Sequence, residues 1–256
     1  MRRVVFNQKG GVGKSSITCN LAAISASRGK RTLVVDLDSQ TNATQYLLGR
    51  SAKGVTTSVA DFFESSMGFS LVRKRGQSFV VETRFPKLHL IPSSPALAEL
   101  QQRLEQKHKI YKLRELLDEL GEYDEVFIDT PPALNFYTLS ALIASHGCII
   151  PFDCDPFAKD AIERLMESVR EIRHDHNVGL FIEGIVVNQF TPSAKLPKRL
   201  VKELREDGLP VFGTYLSSSI KMRESHDRSE PLIHMDPKHK LSKEFVKLYD
   251  ELRPVA

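Results

Sequence analysis

Cysteine is scarce in this sequence. The three present, Cys19, Cys148 and Cys154, form no close pair and no CxxC. That spacing excludes a disulfide framework and a zinc site, so a reducing cytoplasm is the expected setting. No apolar run approaches the roughly 20 residues needed to cross a bilayer, so stable membrane insertion is not expected. Ahead of the first glycine loop, Met1–Asn7 holds two arginines and only four apolar residues, too few for a secretory signal. This stretch reads as a strand instead. Strong charge is missing as well: a net +4 over 256 residues does not by itself imply nucleic acid. Internal repeats, low-complexity tracts and long linkers are absent.

What remains is an ordinary globular composition, 41% hydrophobic and 27% charged, on a chain long enough to bury a full core. Short β-branched runs at Val4–Phe6, Thr32–Val35, Leu88–Ile91, Glu125–Ile128, Cys148–Phe152 and Ile182–Val187 read as buried strands. Helical periodicity fills Ser15–Ser27, Pro95–Gln106, Tyr111–Leu120, Phe136–Ala144, Ala158–His174 and Lys198–Asp207. This alternation predicts an α/β fold: a mostly parallel twisted sheet with helices on both faces, in one domain spanning 1–256. Between Arg50 and Arg84, with Gly54, Gly68, Gly76 and the basic Arg73-Lys74-Arg75, no regular pattern emerges. That stretch reads as an insertion over the sheet.

The first strand runs directly into Gly10-Gly11-Val12-Gly13-Lys14-Ser15-Ser16, and a helix follows. Glycines let a backbone curl so that its N–H groups face inward and cradle phosphate oxygens. The positive end of the following helix adds to the same anion site. Lys14 would reach the outer phosphates and the Ser15 hydroxyl would ligate Mg²⁺. A plain glycine turn is the alternative, and the order strand, loop, Lys-Ser, helix argues against it. Farther along, the apolar strand Val126-Phe127-Ile128 ends in Asp129-Thr130-Pro131-Pro132. An acid at that place fits the holder of Mg²⁺ in phosphoryl-transfer sites, usually through water. Prolines stop the strand and fix the loop after it.

With Lys9 included, Lys9-Gly10-Gly11-Val12-Gly13-Lys14-Ser15 resembles the ParA/MinD family of deviant Walker, or signature-lysine, P-loop ATPases. Resemblance implies ATP and Mg²⁺ as cofactors and slow hydrolysis raised by an activating partner. It also implies a homodimer that sandwiches ATP, with Lys9 crossing to the partner's nucleotide in the manner of an arginine finger. Val35-Asp36-Leu37-Asp38-Ser39-Gln40-Thr41-Asn42-Ala43-Thr44 is similar to the family's D-x-D-P-Q-x-N-A-T segment, with Ser39 replacing proline. By that likeness Asp38 positions or deprotonates the attacking water, and Asp36 supports the magnesium shell. The Asp-Thr-Pro-Pro run matches the family's switch segment. Asn188 falls where relatives hydrogen-bond adenine, though a strand-end Asn is also a common turn residue. Ile220-Lys221-Met222-Arg223-Glu224-Ser225 looks like the family's short R-E-A helix.

The family divides by what its ATP-driven dimer touches. An iron–sulfur branch needs a cysteine beside the Asp-Thr-Pro-Pro run, where this chain has Ala133-Leu134-Asn135. A MinD-like branch needs a membrane-docking tail. Here the tail has Leu241, Phe245, Leu248 and Leu252 on one stripe, opposite a face mixing acids with lysines, which suits docking on the protein's own core. A ParA-like branch needs a surface for non-specific DNA. Lys198, Lys202 and Arg205 recur at helical spacing, and Lys221 and Arg223 fall where relatives use basic residues on DNA. With no helix-turn-helix before the phosphate loop, DNA binding without sequence preference is expected. The reading is a ParA-like ATPase, cytoplasmic and nucleoid-associated, that partitions DNA or positions a cargo. Alternatives are a MinD-like membrane-surface ATPase and an ATP-dependent small-molecule ligase of the same fold.

Overall fold

The computed structural model describes residues 1–68, 75–154 and 158–253. Of the basic cluster singled out above, Arg73 and Lys74 lie outside the described residues. In chain order the strands are β1 (Arg2–Val5), β2 (Thr32–Asp36), β3 (Val81–Glu82), β4 (Leu88–Ile91), β5 (Glu125–Asp129), β6 (Gly147–Asp153) and β7 (Phe181–Asn188). They form one sheet in the order β3-β4-β2-β5-β1-β6-β7. Every pairing is parallel except β3 with β4 at the edge.

Period-two alternation sends neighbouring residues of each strand into different cores. Val4, Leu33, Val35, Val126, Ile128, Cys148, Ile150, Ile185 and Val187 face one helical layer. That layer comprises α3 (Val59–Met67), α4 (Leu97–Gln106), α5 (Lys112–Glu119), α6 (Phe136–Ala144), α7 (Ala158–Asp175) and α8 (Lys195–Glu206). Val5, Val34, Phe127, Ile149 and Val186 face the other. There α1 (Lys14–Ser27), α2 (Asn42–Leu48), α10 (Leu232–Met235) and α11 (Lys240–Glu251) pack. The remaining helix, α9 (Ile220–Asp227), leans on this second core through Met222. Both faces being covered is why the strands read as nearly continuous apolar runs.

The described residues between Arg50 and Arg84 hold more regular structure than the composition of that stretch predicts. Ser58 and Asp61 form a reciprocal capping box that starts α3, satisfying two donors that a helix start otherwise leaves unpaired. Phe62 and Phe63 then bury into the core, and β3 extends the sheet edge. The amphipathic tail does dock on its own protein: Leu241, Phe245 and Leu248 of α11 are at most 2% exposed and lie in the core shared with α1. Each such side chain contributes roughly 1.5–3 kcal/mol of burial.

At the edge of the sheet where the strands begin, Arg3 is fully buried. Its guanidinium donates to Glu183 at 2.9 Å and 3.1 Å, to Glu125 at 3.0 Å and to the carbonyl of Arg253 at 2.5 Å. Tyr249 and Lys30 also donate to Glu125, at 2.7 Å and 3.0 Å. A buried cation is tolerable only with this degree of pairing. Ionic clasps therefore gather at one edge of the sheet, and the strands end in another kind of site at the opposite edge.

Candidate functional site

The sheet order sets the site. β1 lies between β5 and β6, and β5 lies between β1 and β2, so their carboxyl ends are adjacent. Val5 pairs with Asp129 and Asp36 pairs with Asp129. The loop after β1, the acids after β2 and the acid ending β5 are thereby brought to one place, the usual ligand position in open α/β sheets.

Asn7 shapes the loop that leaves β1. Its amide donates to Pro151 O at 2.6 Å, and its side-chain oxygen accepts the N–H of Lys9 at 2.9 Å. Gly11 and Gly13 take left-handed backbone with φ of +77° and +92°. At Gly13 a Cβ would also sit 2.3 Å from the Asn188 amide nitrogen, so glycine is required there twice over. Asn188 donates to Val12 O at 2.9 Å and braces the loop from β7. Beneath it α1 begins at Lys14 without an acidic residue in its first turn, which leaves its positive end free for an anion. Small residues (Ala22, Ala23, Ser25, Ala26) let this helix sit buried in the core from Ile17 to Ala26.

Lys14 is 7% exposed and donates to Lys9 O at 3.1 Å. Burial lowers its pKa, while Asp129 and Asp38 pull it back up. The Lys9 ammonium lies 3.0 Å from Asp153 at the end of β6.

The three acids differ in how they are satisfied. Asp36 is fully buried and accepts from Thr44 N, Thr44 Oγ1 and Asp38 N at 2.8, 2.7 and 3.1 Å. These bonds hold the loop into α2, where Thr41 takes a left-handed φ of +58°. Asp38 accepts Gln40 N at 3.0 Å, and its own carbonyl is held by Ser93 Oγ at 2.7 Å. Asp129 is completely buried, and neither carboxylate oxygen has a hydrogen-bond partner of normal geometry. Burial and the neighbouring Asp36 push its pKa well up, against the pull of the Ser15 hydroxyl and Lys14. Burial likewise raises Asp36.

Asp38 and Asp129 both act on Lys14, with Asp36 next to Asp129, and so acidic a site would repel a polyphosphate unless a cation joined it. Among the described residues no three acids, histidines or cysteines gather closely enough to hold a metal alone. A cation here therefore needs the Ser15 hydroxyl and ligand oxygens beside Asp129, and a hard oxygen-seeking ion fits that donor set. The orphaned oxygens of Asp129 are what such an ion would satisfy.

Beside the loop opens a cavity of about 440 Å³ lined by Gly11, Gly13, Ser16, Asn188, Met222 and Arg223, among others. Arg223 was expected on a DNA surface, and it stands at this cavity. Exposed Lys198, Lys202 and Arg205 do share one flank of α8, around a second cavity floored by Phe190 and Tyr215. Lys202 pairs with Glu206 at 3.5 Å and half-buried Lys221 with Glu224 at 2.8 Å. The segments at Phe190 and Ser217 bridge to each other, so α8 and α9 flank the same strip of chain. His226, Ser93 and Asn7 shape the site without any sequence motif to announce them, whereas Thr44 closes the Asp36–Thr44 run. Their partners lie up to 210 positions away.

A family model described as an AAA domain matches residues 3–182. The chromosome partitioning protein ParA of Caulobacter vibrioides is 30% identical over 254 residues, covering 97% of this chain and 92% of that protein. ParA of Myxococcus xanthus is 31% identical over 252 residues, 97% of this chain and 86% of that one. Among solved structures, cobyrinic acid a,c-diamide synthase from Mycobacterium smegmatis, with bound ATP analog and magnesium, aligns with a TM-score of 0.83. It covers 97% of this chain and 92% of its own at 24% identity, a likeness of fold alone.

Proposed function

The chain belongs to the ParA-like ATPases of the AAA-domain family, and from that premise we propose that it binds MgATP, closes into an ATP-sandwich dimer, and holds DNA without sequence preference until hydrolysis releases it. In this reading it works in the cytoplasm on the nucleoid, partitioning DNA or positioning a cargo, with turnover raised by an activating partner protein.

The observation that carries the nucleotide part is Asp129: a buried acid with neither oxygen in a hydrogen bond of normal geometry, one strand from the phosphate loop. Lys14 and the N–H groups from Gly10 to Ser16 hold the phosphates. Ser15 and Asp129 hold Mg²⁺, with Asp36 behind them fixing the loop. Bound magnesium supplies charge neutralisation at the transferred phosphoryl group. Asp38, 6% exposed and anchored by Ser93 and Gln40, orients the attacking water. Lys9 leaves Asp153 to meet the partner's nucleotide. Asn188 borders the base, its amide already given to the loop. For DNA the support is the exposed cations of α8, with Lys221 and Arg223 of α9 beside them.

Equilibrium titration tests the nucleotide reading. Lys14→Ala is expected to lose ATP binding, since the phosphates lose the buried cation of the loop; unchanged affinity would overturn the assignment.

A second reading, an ATP-dependent small-molecule ligase, rests on a cavity of about 810 Å³ beside the Asp38 loop, lined by Thr41, Thr44, Ser58, Ser93, Arg50 and Lys53 among others. That volume lies in the range of small-molecule sites. A nucleotide-loaded protein that binds neither random duplex DNA nor anionic liposomes would favour it.

A further inference from the structure

We propose that His226 is a positioning residue for the nucleotide: it turns the Ser16 hydroxyl into a donor toward phosphate and thereby ties α9 to the phosphate loop. The inference rests on the nucleotide-binding reading and assigns a role to a residue outside every motif.

His226 Nε2 lies 2.7 Å from Ser16 Oγ. Ser16 lines the cavity beside the phosphate loop, together with Gly11 and Gly13. A hydroxyl has one proton, so its partner decides which way that proton points. If Ser16 donates to Nε2, it turns lone pairs toward an incoming phosphate. If the imidazole carries its proton on Nε2 and donates to Ser16, the Ser16 proton is released to the phosphate. Among the described residues the ring makes no other hydrogen bond, so neither tautomer is fixed in advance. Burial keeps the ring below the usual histidine pKa, and it enters as neutral imidazole. A polyanion in the loop selects the tautomer protonated on Nε2.

Packing fixes the ring for that task. It stacks on Tyr46 with centroids 4.1 Å apart and planes 21° from parallel. Tyr46 in turn sits in a directed chain. The Asn20 amide donates to Tyr46 OH at 3.1 Å, Tyr46 OH bonds Ser225, and Ser225 donates to Glu230 O at 2.5 Å. Asn20 also donates to Ser16 O at 2.8 Å and accepts Leu232 N at 2.9 Å. Helix α1 is thus coupled to α2, α9 and α10 through one buried polar network, and such networks hold a single arrangement when every member is satisfied. Since α9 carries Arg223 on the wall of the same cavity, the Ser16–His226 bond makes the placement of that wall depend on what occupies the loop.

The test compares binding of a non-hydrolysable ATP analogue to the full chain, to His226→Phe and to His226→Gln. Phenylalanine keeps the stack on Tyr46 and offers no nitrogen, whereas glutamine carries an amide nitrogen close to the place of Nε2. His226→Phe is expected to bind the analogue about tenfold more weakly, with most of the affinity restored in His226→Gln. In the unaltered protein, ¹⁵N NMR of the imidazole is expected to move on analogue saturation to the pattern of a ring protonated on Nε2. Wild-type affinity in a folded His226→Phe, or an imidazole spectrum that ignores the analogue, would overturn the role. Where a melting curve shows His226→Phe unfolded, the spectrum of the unaltered protein decides. Lys14→Ala separates the two failures: normal binding there sinks the nucleotide reading itself, while lost binding there with full binding in His226→Phe sinks only this proposal.

Discussion

At Asp129 an acid is held fully buried with neither oxygen in a hydrogen bond of normal geometry, an arrangement that costs folding free energy until a cation arrives. Asp129→Asn removes the ionisable group that burial and Asp36 disfavour in its charged form. In EDTA and without nucleotide it is expected to stabilise the protein by about 1–3 kcal/mol, raising the melting temperature by a few degrees, while Mg²⁺-dependent hydrolysis disappears. A lowered melting temperature would mean the acid is already compensated. Asp38 has the opposite profile: its carbonyl and carboxylate are anchored, so Asp38→Ala should leave ATP binding intact and cut turnover at least about tenfold. Phosphate release under single turnover checks this; a wild-type rate would give the water-orienting role to another group. Lys14, Asp36, Asp38 and Asp129 each stand in a contiguous run, which is why the sequence singles them out, and the sheet brings the ends of β1, β2 and β5 that carry them together. His226 was not legible there, because its meaning comes from Ser16, 210 positions earlier.

Among the elements, the strands other than β3 and the helices α1 and α4 to α8 follow from periodicity to within a few residues, since a sheet covered on both faces prints an apolar run, whereas β3, Val81–Glu82, is too short to print one. Helices α2 and α3 escaped. The first, Asn42–Leu48, is too short to show a period, and the second starts at a capping box amid glycines. Helix α11 was readable both in its stripe and in where the stripe would dock. Its Leu248 has no exposed surface and lies in the core that includes α1. Leu248→Ala should cost about 2–4 kcal/mol and weaken ATP binding by loosening the helix under the phosphate loop. Chemical denaturation and ATP titration read the two effects; unaltered stability would show that the tail only covers the sheet.

For the whole molecule the proposed cycle makes association and DNA binding rise together. Lys9→Ala is expected to bind ATP and remain monomeric by light scattering with a non-hydrolysable analogue, because its cation serves the neighbouring subunit. On DNA, the analogue-bound protein should retain unrelated duplexes equally and lose them steeply with salt, each lost phosphate contact lowering the log–log slope by roughly 0.9. Lys198→Glu with Lys202→Glu should abolish retention without touching the nucleotide cavity, which those residues do not line. Gel shifts at several salt concentrations decide it, and a double variant that still retains DNA would move the contact elsewhere.

The pair between Lys9 and Asp153 has a practical consequence for watching that cycle. Cys154 is the next residue, half-buried, while Cys19 and Cys148 are sealed in the two cores. Burial pushes the Cys154 thiol up to about 11, so maleimide dyes should react slowly and, at mildly alkaline pH, at this position ahead of the others. The unmutated protein thus carries its own attachment point for a fluorophore, one peptide bond from the carboxylate that Lys9 leaves in the proposed cycle. Time-resolved emission from that dye would follow the departure of the lysine as nucleotide is mixed in.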